Sequence, residues 1–163
     1  MKKVIYAIAA AAFVSSAVAA PPPKVTGSDN WDNGAGVNQY AEFVAIGMHN
    51  GKDPKGMHYQ ENQFGSLTVD VDNIWFYANH ACYTGINVEA TGNFYTLKGR
   101  RAFIVVQDGG NGQNETGNDR LRGGFGFAAN TIAPPAYCVN GDFANNETFY
   151  NGNVQMHYQL VSQ

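Results

Sequence analysis

Between Asp108 and Asp119 one glycine-rich stretch collects Asp108, Asn111, Asn114, Glu115, Asn118 and Asp119, all with side-chain oxygens. Calcium takes about six to eight oxygen ligands, and glycines let a loop curl around the ion. Calcium is therefore the one cofactor this chain suggests, and nothing in it requires any other. The spacing is not that of an EF-hand loop, although Gly109 to Asn114 loosely echoes glycine-rich calcium repeats. A plain hairpin loop, with Asp108 and Asp119 satisfying turn amides, explains the same residues and is favoured.

Other reactive residue types offer less. Cys82 and Cys138 are the only cysteines. In an oxidising compartment they pair most simply with each other, and a bridge closing so long a loop stabilises by roughly 3–4 kcal/mol. A cysteine nucleophile lacks a histidine placed to activate it. The four histidines are His49, His58, His80 and His157. Even if His58 and His157 faced one another across strands, the spacing nominates no further zinc ligand, so no zinc site is assigned.

No catalytic residue is assigned either. The chain has no Gly-x-Ser-x-Gly elbow, His-Glu-x-x-His helix or Walker loop. Glu42, Glu61, Glu89, Asp70 and Asp72 include enough carboxylates for a glycosidase pair, yet most fall at outward positions of amphipathic strands. The aromatics are the better hint, being too many for one core. Trp31, Trp75, Tyr77, Tyr83 and Tyr95 are candidates to stack on sugar rings, whose hydroxyls would meet neighbouring amides.

The elements that must position these residues are strands. Ser66 to Asp72 alternates cleanly, with Leu67, Val69 and Val71 on one face. Ile74 to Tyr77 continues it past a bulge expected at Asn73. Further strands are predicted over 40–49, 57–63, 81–89, 121–127 and 154–160. In 121–127, Leu121, Gly123, Phe125 and Phe127 share a face opposite Arg120 and Arg122. Ala102 to Val106 is continuously apolar, which predicts a central strand buried on both sides. Residues 129–152 read as an irregular segment tied down by Cys138. Met57-His58-Tyr59-Gln60 recurs as Met156-His157-Tyr158-Gln159, and the expectation is Met and Tyr inward both times, His and Gln outward. Convergent strand chemistry accounts for the repeat. No helix of three turns is credible. The fold class is all-β, an antiparallel β-sandwich or flattened barrel of about seven or eight strands.

The opening residues give the address. Met1-Lys2-Lys3, the uncharged run Val4 to Val14 and the small-residue end Ala17-Val18-Ala19-Ala20 have the form of a secretory signal peptide over 1–20. The apolar run is too short to span a bilayer. Residues 21–39 follow as a leader rich in Pro, Gly and Asn, either disordered or lying along a sheet edge, and 40–163 form one β domain. The expected location is secreted, periplasmic or extracellular, with no membrane span after cleavage. Removing the signal leaves eight basic against thirteen acidic residues, a formal charge of about -5. That balance argues against nucleic acid as a partner.

Three segments resemble a bacterial family. Phe103 to Phe127 is similar to the strand, Asp-Asn-Gly-x-Pro-Gly-x-x-Asp, strand pattern of small exported β domains sometimes called post-COAP. Asn79 to Gly85 resembles that family's Gly-Asn-x-Ala-x-x-x-Gly turn, and Gly152 to His157 its closing Gly-Asn-Ile-Gln-x-His strand. This chain lacks the proline, and its cysteine-bearing insertion at 129–150 is extra. The resemblance implies a β fold and export; it carries no activity. The expected function is therefore non-catalytic binding of glycan or another extracellular ligand such as a protein. The alternative is a structural subunit that self-assembles by adding its leader strand to a neighbour. A secreted hydrolase is the third reading.

Overall fold

The computed structural model describes residues 21–32, 37–48, 53–109, 119–143 and 153–157, with the side chains of residues 29, 31, 32 and 153 outside the description. Eight strands form one antiparallel sheet: β1 (Lys24–Asp32), β2 (Asn38–Ile46), β3 (Lys55–Asn62), β4 (Gly65–Phe76), β5 (His80–Ala90), β6 (Arg101–Gln107), β7 (Arg120–Phe127) and β8 (Asn153–His157). Their order is β7-β6-β5-β4-β3-β2-β1-β8. The first seven form a meander, and β8 returns to the far side of β1. A five-residue helix, α1 (Ala136–Asn140), and a short 3₁₀ segment, Gly92–Leu97, are the helices among the described residues.

The sheet curls until its two ends meet. Asp119, directly before β7, is buried; its Oδ2 accepts the Val154 N–H of β8 at 2.6 Å and its Oδ1 accepts the Gly109 N–H at 2.9 Å. One carboxylate thus ties the last strand in the order to the first. The architecture is a curled sheet approaching a barrel, the flattened-barrel form of the expected fold and not a second packed sheet.

Alternation puts the core inside the curl. Val25, Phe43, Leu67, Val69, Val71, Tyr83, Ile104, Val106, Leu121 and Val154 belong to one buried cluster drawn from seven of the strands. On β4 the pattern read from sequence holds until the register slips between Val71 and Asn73. This bulge falls at Asp72, beside the expected Asn73. It turns Ile74 inward and Trp75 outward. Another slip, between Arg101 and Phe103 in the β6–β7 ladder, separates Phe125 from Phe127. Phe125 packs on the inner cluster and Phe127 meets Phe103 edge-on outside, at 5.1 Å, so the expected common face of β7 is corrected.

The apolar run on β6 is buried on both sides, as its composition demands. Ala102, Ile104 and Val106 face the curl, while Phe103 and Val105 face outward onto Cys138, Tyr137, Phe127 and Phe143. The outer cover is the segment carrying α1. It is bolted to β5 by the Cys82–Cys138 disulfide, with Cα atoms 5.5 Å apart. Gly141 ends α1 at φ 68°, and a Cβ there would lie 2.8 Å from His80 Nδ1, so the close turn needs glycine.

Two expectations change. Within the leader, Lys24–Asp32 is not an edge but strand β1, paired with β2 along its whole length and with β8 on its other side over Lys24–Ser28. The tetrapeptide repeat lands in opposite orientations. Met57 is exposed while His58 and Gln60 are buried, whereas Met156 packs on the core and His157 is exposed. Repeated sequence does not set the face; the pairing register does. His58 and His157 therefore lie on opposite faces, on strands separated by β2 and β1. The expected signal peptide lies outside the described residues. Among those described, no helix is long and apolar enough to cross a membrane.

Candidate functional site

The expected stacking residues are scattered. Tyr83 is fully buried in the core and presents no face to a ligand, which corrects its assignment. Trp75 and Tyr77 are half-buried against the outer cluster beside the disulfide, and Tyr77 also stacks on His80 at 4.5 Å. Tyr95 stands 69% exposed on the 3₁₀ segment, well apart in the sheet from those two. The Trp31 side chain lies outside the described residues.

The loop expected to hold calcium is described only at its ends. Asn111, Asn114, Glu115 and Asn118 lie outside the description, and Asp108 is partly buried. Asp119 has both carboxylate oxygens engaged by backbone amides, one from Gly109 at the start of the loop and one from Val154 on β8. Among the described residues no three His, Cys, Asp or Glu side chains converge on a metal-sized point.

Inside the curl runs a polar chain that alternation alone does not announce. Gln60 Nε2 donates to Gln39 Oε1 at 2.7 Å, which leaves Gln60 Oε1 to accept from His58 Nε2 at 3.4 Å. His58 Nδ1 then accepts the Tyr83 hydroxyl at 2.9 Å. The network so assigns the His58 tautomer. Phe43 and Phe125 rings lie about 6 Å from the imidazole. Burial pushes the His58 pKa down to about 4 and the Tyr83 hydroxyl well up, so both stay neutral. With the His58 ring nitrogens satisfied and all four side chains buried, this chain is a core element and not a ligand site.

The arrangement that can do chemistry lies on the outer face of β1 to β4. Cross-strand pairing aligns outward side chains into rows. One row reads Thr26, Val44, Met57, Asp70; the next Ser28, Glu42, Tyr59, Thr68; the third Asn30, Tyr40, Glu61, Ser66. Tyrosine and glutamate form a checkerboard at its centre, Glu42 opposite Tyr59 and Tyr40 opposite Glu61. Within each strand the tyrosine hydroxyl donates two residues on, Tyr40 to Glu42 at 3.0 Å and Tyr59 to Glu61 at 2.5 Å. The accepting carboxylates raise both tyrosine pKa values, so the hydroxyls remain donors. The two rings lie 6.5 Å apart, tilted by 60°. Beside them Thr26, Ser28, Glu42, Val44, Met57 and Gln155 line an open concavity of about 470 Å³.

With strands about 4.8 Å apart and alternate residues about 6.8 Å apart, this grid covers roughly 14 Å in each direction. That is the scale of a short oligosaccharide. Its residues carry ring faces, hydroxyls, amides and carboxylate acceptors together. Tyr40-x-Glu42 and Tyr59-x-Glu61 are visible in the sequence as a repeated spacing of two, which on strands places each pair on one face. That spacing is the signal by which the site is found.

No family model, curated protein or solved structure matches the chain.

Proposed function

We propose that the mature chain is an exported, non-catalytic binding module that recognises glycan through the outer face of β1 to β4. The observation that carries this reading is the Tyr40–Glu42–Tyr59–Glu61 checkerboard, flanked by hydroxyl and amide side chains and an open concavity. Sugar rings use such surfaces well: C–H edges lie on aromatic faces while hydroxyls donate to carboxylates and amides. A shallow, open surface suits a segment of a longer glycan better than an enclosed monosaccharide. The signal-like opening, the Cys82–Cys138 disulfide and the similarity to small exported β domains all fit an oxidising, extracytoplasmic setting.

Two observations weigh against the other readings. β1 is paired by β2 over Lys24–Asp32 and by β8 over Lys24–Ser28, which leaves the first half of the strand no free edge to add to a neighbour. Glu42 and Glu61 sit exposed on an open face, without the cleft that withdraws an acid catalyst from water. The test is a glycan array probed with the oxidised mature protein, followed by Tyr40→Ala and Tyr59→Ala. Each substitution is expected to weaken binding of the array hit about three- to tenfold while the melting temperature stays put. Unchanged affinity in both variants places the ligand elsewhere.

A further inference from the structure

We propose that the Cys82–Cys138 bridge is a redox latch: its reduction releases residues 128–143 from β5 to β7 as a unit, while the curled sheet stays folded. The latch lies away from the β1–β4 face and does not depend on the glycan reading. Within 128–143 Cys138 alone is buried; every other residue is exposed or half-buried. The amides of Thr131, Cys138, Val139 and Asp142 bond to carbonyls of the segment itself. Side chains fasten it to the sheet. The Tyr137 hydroxyl donates to the Phe103 carbonyl at 2.9 Å, and His80 Nε2 donates to the Val139 carbonyl at 3.1 Å. Arg101 Nε donates to the Ala129 carbonyl at 3.0 Å. Arg122 donates to the Asp142 carbonyl at 3.0 Å and sets its guanidinium 4.5 Å from the centre of the Tyr137 ring.

Segments with so little burial of their own are the first parts of a fold to open. The bridge opposes this by tying Cys138 to Cys82, which restricts the open segment and favours its return. What lies beneath is separate from the core. Phe103, Val105 and the two cysteines form the outer cluster, whereas the cluster inside the curl includes no residue of 128–143. Release therefore bares the outer face of β6 and takes nothing from the inner core. Both cysteines are fully buried, so a reductant reaches a sulfur only when the Tyr137 and Phe143 rings packed on this cluster move aside. The electrons come from a dithiol. One of its thiolates attacks a bridge sulfur to give a mixed disulfide, and the cysteine released takes up a proton. The second thiol then displaces the other cysteine. The protein gains two thiols as the dithiol becomes a disulfide.

The experiment treats the oxidised mature protein with dithiothreitol in the absence of denaturant and follows amide exchange by NMR. Cys82 and Cys138 are the only cysteines, so the reagent acts on one bond. Maleimide capture of two thiols is expected to show that the bridge opens under these conditions. The hydrogen-bonded amides of Cys138, Val139 and Asp142 should then exchange at least about tenfold faster, while those of β2 to β4 change by less than about twofold. Reoxidation should restore slow exchange. Loss of protection across β2 to β4 along with the segment overturns the proposal, because the bridge would then hold the whole fold. Reduction that leaves the three segment amides unchanged overturns it too, since the segment would stay docked without its bridge. So does a bridge that yields only in denaturant.

Discussion

At the scale of single residues, His58 is the side chain whose chemistry the fold changes most. It is enclosed by Phe43, Tyr83 and Phe125, and burial holds it near pKa 4 against an ordinary 6.5. Between those values the unfolded chain binds a proton that the folded chain refuses. Stability is therefore flat above about pH 6.5 and falls as pH drops toward 4, by up to roughly 3 kcal/mol from this group. His58→Phe keeps a ring in the aromatic packing and cannot titrate. Urea unfolding at pH 7 and pH 4.5 should show the native protein losing more stability between the two than the variant does. Equal losses would mean that His58 is not protonated on unfolding in that range. The tyrosine–glutamate pairs on the outer face are the opposite case, since their groups stay solvated and bear on binding and not on stability.

At the scale of elements, the sheet depends on how its ends are joined. β8 is five residues long, and the Asp119 carboxylate joins it to the start of β7. Asp119→Ala would leave the amides of Val154 and Gly109 without their acceptor, at a cost of at least about 2 kcal/mol. Hydrogen exchange should then quicken at Val154 and its β8 neighbours while β3 to β6 keep their protection. Unchanged exchange at Val154 would show that β8 is held by β1 alone. The same scale shows what the sequence made legible. The alternation of Leu67, Val69 and Val71 and the unbroken run Ala102 to Val106 reveal β4 and β6 because burial acts on one face of the first and on both faces of the second. β1 has no such mark: Gly27, Asp29 and Asn30 are poor strand formers, and pairing with β2 and β8 supplies what local preference lacks. Met57 and Tyr59 read as inward because they are the larger apolar residues. Register instead puts His58 and Gln60 inside, where partners on β2 and β5 satisfy them. That inversion is also why Tyr59 escapes notice as a surface residue. The Tyr-x-Glu spacing was legible, but the neighbouring rows that complete the grid exist only once β1 and β4 are paired.

At the scale of the whole molecule, the curled sheet divides labour between its two outer halves. On the β5–β6 side the segment carrying α1 covers the sheet and the Cys82–Cys138 bridge fastens it, so that face is closed to ligands. On the β1–β4 side no described residue covers the sheet, and its outward residues are rings, hydroxyls and carboxylates. We place the ligand of the proposed binding function on this side of the sheet. The direct measurement is an NMR titration of the oxidised mature protein with the tightest-binding glycan from the array, following backbone amides. The largest shifts are expected on Thr26, Ser28, Glu42, Tyr59 and Thr68, with β5 and β6 silent. Shifts centred on the exposed Phe64 and Tyr95, or on the covered β5–β6 side, would contradict it.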